Sequence, residues 1–140
     1  MTLGWRWFLL ECDILNIRGD MYKIFQSAII SILCDQLSKL SMLYVFDLPH
    51  VGKIDVFPPY LQFTMAWNYG VNFGLFANST EIMRWVLIII AFLICLIVIR
   101  WSVSEKFGSM GLISCGFLVG GAAGNAIDRF FHGAVVDFLN

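Results

Sequence analysis

The stretch Trp85-Val86-Leu87-Ile88-Ile89-Ile90-Ala91-Phe92-Leu93-Ile94-Cys95-Leu96-Ile97-Val98-Ile99 carries no charged residue. With its flanks it predicts a helix over about 82–101, close to the roughly 20 apolar residues that cross a bilayer core. The whole chain fits that reading. Hydrophobic residues make up 59% of the 140 and charged residues 14%, against about 25% in a soluble domain. Mean hydropathy is +0.79. Only helices and closed barrels satisfy their backbone in lipid, so the expected fold class is an all-α integral membrane protein.

Two further spans flank the first. One covers about 24–46 and is interrupted by Asp35, Gln36, Ser38 and Lys39. Asp35 and Lys39 are spaced i,i+4, so on a helix they share a face and can pair, a structural or interfacial role. The other covers about 109–127 and carries Gly111, Gly116, Gly120, Gly121 and Gly124, small residues that let helices approach closely. Between the spans, residues 47–80 form a polar loop. Pro49, Pro58 and Pro59 are expected to break any helix there, and Leu61–Trp67 to form a short strand. Asn68 to Gly74 suits a tight turn flanked by aromatics.

Residues 1–20 read as an N-terminal extension or as sequence upstream of a true start at Met21, and residues 21–140 as one membrane domain. No small-residue cleavage site marks a signal peptide. Cys12, Cys34, Cys95 and Cys115 have no metal or redox spacing and read as buried hydrophobes. A net charge of −1 argues against nucleic acid as a partner. Lys and Arg cluster before the first span and between the last two, which predicts a cytoplasmic N-terminus and an outward-facing 47–80 loop. The end of the last span then joins Asn68 on the outer side.

The chemistry-bearing residues gather at that end: Asn125, Asp128 and Arg129, then Asp137 beyond Gly133. Ionisable groups at membrane depth cost roughly 2.5–3.5 kcal/mol each on insertion scales and so point to function. Two carboxylates in a poorly solvated site can divide the roles of general acid and base, as in aspartic proteases. From the residues alone Asp128 and Asp137 form such a pair. A proton or ion path, or a structural polar network, is equally compatible with them.

Four ordered motifs go further: Asp35-Gln36-Leu37-Ser38-Lys39, Asn68-Tyr69-Gly70-Val71-Asn72-Phe73-Gly74, Gly121-Ala122-Ala123-Gly124-Asn125-Ala126-Ile127-Asp128-Arg129 and Val135-Val136-Asp137-Phe138. Together they make the chain resemble the lipoprotein signal peptidases (type II signal peptidases), intramembrane aspartic proteases of bacteria. The resemblance spans about residues 22–140. It implies removal of signal peptides from diacylglyceryl-modified prolipoproteins, with the cut before the lipidated cysteine. Asp137 then matches one catalytic aspartate. Asn68, Asn125 and Arg129 match residues that position the substrate backbone, and Asp128 moves to a supporting role. Asp35, Lys39, Gly70 and Phe73 match structural or interfacial positions.

No metal or organic cofactor is implied. The implied partners are the prolipoprotein substrates and membrane lipids, and the protein is expected to be a monomer in the bacterial inner membrane with its site toward the outer face. Two departures stand out. Asn72 occupies a position where a small residue is common. The family's second catalytic aspartate, in an Asn-x-Ala-Asp motif opening a fourth membrane helix, is absent from the 140 residues. The expectation is therefore a truncated, inactive family member. A small ion or proton carrier using Asp35, Lys39 and Asp128, or a non-catalytic remnant that binds lipid-anchored signal peptides, are the alternatives.

Overall fold

The computed structural model describes residues 3–58, 60–70 and 80–139, with side chains from residue 16 onward. The elements run α1 (Leu3–Leu40), a π-helical turn (Ser41–Val45), α2 (Leu48–Val51), β1 (Lys53–Phe57), β2 (Leu61–Asn68), α3 (Thr80–Ser104), α4 (Ser109–His132) and β3 (Val135–Leu139). Among the described residues, three helical stretches are long and apolar enough to cross a membrane: Asn16–Val45, Glu81–Ser104 and Ser109–His132. The first helix begins well before residue 24, and residues 3–20 continue it. The last continues past 127 to His132, carrying Asp128 and Arg129 inside its final turns.

The core is the seam between α1 and α4. Ser27, Ser31, Asp35 and Lys39 on α1 meet Gly116, Gly120, Gly124 and Asp128 on α4, at a four-residue spacing on both. Both series ascend together, so the two helices run parallel. Four residues are slightly more than one helical turn, so each partner recurs on the same face. The glycines make the approach possible. A methyl on Gly116 would collide with Ser27 Oγ and lie 2.5 Å from the Ile24 carbonyl, and one on Gly120 would lie 2.6 Å from the Ala28 carbonyl. The Gly116–Gly120 pattern, weak evidence in a sequence, is a packing surface here. Ile24, Ala28, Leu112 and Cys115 fill the seam.

α3 is different. Ile82, Ile89, Phe92, Leu93 and Ile97 are all exposed, as expected of a helix apolar all round. It packs mainly on α4, to which residues 105–108 join it tightly. Cys115 is buried, but Cys34 is exposed and Cys95 half-buried, so the cysteines are only partly core residues.

At the end of the bundle where α1 and α4 finish lies a three-stranded antiparallel sheet in the order β1-β2-β3. The sequence predicts one strand near 61–67, and the described residues form three. β3 is a short β-branched run whose strand character depends on pairing with β2, with Ala66 opposite Asp137 and Asn68 opposite Val135. Pro49 does not break the helix at 48–51. It sits in the first turn of α2, where its missing N–H has no intrahelical partner to lose.

Candidate active site

α4 ends at Gly133, whose φ of +79° turns the chain sharply into β3. That turn separates Asp128 from Asp137 and gives them different surroundings.

Asp128 is 2% exposed. Its Oδ2 lies 2.7 Å from Lys39 Nζ and accepts the Val136 backbone N–H at 3.3 Å. Its Oδ1 accepts from Gln36 Nε2 at 2.9 Å. Lys39 also reaches Asp35 Oδ2 at 2.8 Å and Asn125 Oδ1 at 3.2 Å. An ammonium has three N–H donors and no acceptor, so Lys39 is fully used by these three oxygens. Gln36 additionally meets Asp35 Oδ2 at 3.1 Å and the Gly124 carbonyl at 3.3 Å. A buried charge is tolerated only when paired and hydrogen-bonded, and this network meets that condition. Gln36, next to Asp35 in the sequence, is brought between Asp35 and Asp128 only by the docking of α1 on α4.

Asp137 is exposed and opens into a cavity of about 410 Å³. Asp35, Lys39, Asn68, Asn125 and Val136 line the same cavity. The structure thus brings Asp137 together with Asn68 and Asn125, and places Asp128 behind the cavity wall, holding β3 through Val136. Asn68 Oδ1 accepts the Gly70 N–H at 2.8 Å, closing a tight turn in which Gly70 has φ +82°. A methyl on Gly70 would lie 2.5 Å from Leu87 Cδ1 and 3.6 Å from Arg129 Nη2. The turn therefore sits over Arg129, whose Nη1 donates to the Asn125 backbone carbonyl at 3.3 Å. Arg129 Nε is buried without a partner among the described residues. Phe73 and Asn72 lie outside the described residues.

Polar side chains from two helices and two strands thus converge at one end of an apolar bundle. The family model for signal peptidase (SPase) II matches residues 27–140. The chain belongs to the signal peptidase II family. A lipoprotein signal peptidase of Methylobacterium sp. (strain 4-46) is 40% identical over 115 residues, covering 81% of this chain and 68% of that protein. The lipoprotein signal peptidase of Nitrobacter hamburgensis is 36% identical over 113 residues, with the same coverage of both. A solved bacterial membrane enzyme superposes with a TM-score of 0.68 at 24% identity, covering 84% of this chain and 68% of that one, and supports the fold. Membership in the signal peptidase II family makes this a multi-pass membrane peptidase of bacteria.

Proposed function

We propose that this signal peptidase II family member hydrolyses the peptide bond preceding the lipid-bearing cysteine of diacylglyceryl-modified prolipoproteins, with Asp137 as one of the two catalytic carboxylates. The observation that carries this reading is the shared cavity: Asp137 is free of ion pairs among the described residues and lines, with Asn68 and Asn125, one cavity of about 410 Å³. A carboxylate that must take a proton from water needs such access. Asp128, with both oxygens committed to Lys39, Gln36 and Val136, is unsuited to that exchange and suited to support.

The same network argues against ion carriage. A carrier needs a group that can release its partner, whereas Lys39, Asp35 and Asp128 are locked to one another and to Asn125 and Gln36. The second carboxylate of the pair belongs to the family's Asn-x-Ala-Asp motif. The site lies at one end of three apolar helices, which suits a substrate delivered by a lipid anchor. We place the N-terminus in the cytoplasm, the cavity toward the outer face of the inner membrane, and the working unit as a monomer.

The test is the substrate itself. A prolipoprotein carrying the diacylglyceryl group and the same protein without it are offered to the chain, extended by the remaining segment of the Methylobacterium relative, in lipid vesicles. Release of signal peptide from the lipidated form alone is expected. Equal cleavage of both, or of neither, contradicts the assignment.

A further inference from the structure

We propose that an apolar hollow on one flank of the α3–α4 contact, lined by Leu87, Ile90 and Ile94, holds one acyl chain of the substrate's diacylglyceryl group. This rests on the peptidase reading above, in which the lipid-bearing cysteine directly follows the scissile bond. The anchor must then leave the Asp137 cavity within a residue of the cut. α3 and α4 meet at Ala91 and Ala122, and a hollow lies on either side of that contact. One, of about 250 Å³, is lined by Ile88, Phe92 and Cys95 from α3 and by Val119, Ala123 and Ala126 from α4. The other, of about 200 Å³, is lined by Leu87, Ile90 and Ile94 from α3 and by Asn125 and Arg129 from α4. Phe92 on the first flank and Ile90 and Ile94 on the second are exposed, so each hollow opens at the outer surface of the helix pair.

Only the second hollow is joined to the site. Asn125 lines both this hollow and the cavity that Asp137 enters. The turn at Asn68–Gly70 bridges the two as well. Asn68 lines the Asp137 cavity, while a methyl on Gly70 would meet Leu87 Cδ1 and lie 3.6 Å from Arg129 Nη2. The polar outer end suits the ligand. A guanidinium offers N–H donors and no acceptor, and the two esters of a diacylglyceryl group offer acceptors and no donor. From Leu87 to Ile94 the aliphatic wall then runs about 10 Å along the helix. The hollow thus matches a group that is polar at the level of Arg129 and apolar below it. The hollow at Ile88 and Phe92 is equally apolar but has neither link to the site, and it provides the internal comparison.

The first measurement is direct labelling. A lipidated prolipoprotein whose acyl chains carry a diazirine is bound to the extended chain used above, in lipid vesicles, and the crosslinked residues are mapped by mass spectrometry. Asp137→Asn is labelled in parallel, so that the result does not depend on turnover. Crosslinks at Ile90 and Ile94 in excess over those at Ile88 and Phe92 are expected. Labelling spread evenly over both flanks overturns the proposal. So does labelling absent from Ile90 and Ile94, as when the added segment fills the hollow, or equal labelling there by a phospholipid carrying the same diazirine.

The second measurement is kinetic. Ile94→Trp fills the hollow, and Ile88→Trp makes the same change on the opposite flank. Ile94→Trp should raise KM for the lipidated prolipoprotein about 10-fold or more with kcat within about threefold of wild type, the pattern of lost uniform binding. Ile88→Trp should leave both constants within about threefold. Shortening the acyl chains should raise KM in wild type and change it little in Ile94→Trp. A purely structural effect would instead lower the amount of folded protein and act alike on long-chain and short-chain substrates. Equal effects of the two tryptophans contradict the proposal. Should wild type cleave nothing, the peptidase reading fails, and the labelling still decides where the acyl chain lies.

Discussion

Lys39 on α1 and Asp128 on α4 form a buried ion pair 2.7 Å long at the last contact of the parallel seam between the two helices. Below it the seam is built of small residues; above it lies the sheet that carries Asp137. The same carboxylate oxygen that meets Lys39 also accepts the N–H of Val136, the residue before Asp137. One side chain thus joins helix packing to the placement of the catalytic candidate.

Removing one partner leaves the other charge buried and unpaired. Lys39→Met should destabilise the folded chain by about 3 kcal/mol, within the range for breaking such pairs. Thermal unfolding in detergent, followed by tryptophan fluorescence, reads this directly. The double variant Lys39→Met/Asp128→Leu should recover part of the loss, since the only carboxylate then left without Lys39 is Asp35, which is partly exposed. A double variant that loses as much as the two single losses added together would contradict the coupling.

The glycines of α4 separate into two kinds. Gly120→Val should force α1 and α4 apart, because its Cβ would lie 2.5 Å from Ser31 Cβ and 2.6 Å from the Ala28 carbonyl. Gly121 has no atom within 4 Å of that position. Gly121→Ala should be neutral, or stabilising by up to about 1 kcal/mol through helix propensity. Equal losses from both substitutions, measured as shifts in unfolding temperature, would rule out the α1–α4 seam as described.

Gly70→Ala tests the turn over Arg129. A φ of +82° strains any residue with a Cβ, by about 1–2 kcal/mol, and the added methyl presses on Leu87. Cleavage should drop several-fold. The accompanying Leu87→Ala should relieve the steric part and leave the backbone part. Full activity in Gly70→Ala would mean the turn does not govern the site.

Orientation in the membrane follows from the Lys and Arg distribution. A reporter active only in the outer compartment should work when fused near Phe57 and fail near Ser104. The reverse pattern would put the cavity on the cytoplasmic side.

The three helices were legible because an apolar run of span length has few alternatives. The Asp35–Lys39 pair was legible too, being local. Its third member was not: Asp128 is far along the chain, and only the parallel docking of α1 and α4 brings it to Lys39. β2 could be read from its alternation near 61–67, whereas β1 and β3 are five-residue segments that become strands by pairing with it. The different surroundings of Asp128 and Asp137 could not be read from composition. They arise from the Gly133 turn and from Val136, which spends its backbone N–H on one carboxylate while the other opens to the cavity.

The central claim is that Asp137 performs the proton transfer while Asp128 holds the structure. It is tested most directly in the extended chain, by comparing Asp137→Asn with wild type and Asp128→Asn for release of signal peptide from a lipidated prolipoprotein, normalised to folded protein in the membrane. The account predicts that Asp137→Asn inserts and unfolds like wild type yet releases no signal peptide, because an amide cannot exchange the proton. Asp128→Asn should mainly lower the amount of folded protein. Cleavage retained in Asp137→Asn would contradict the account.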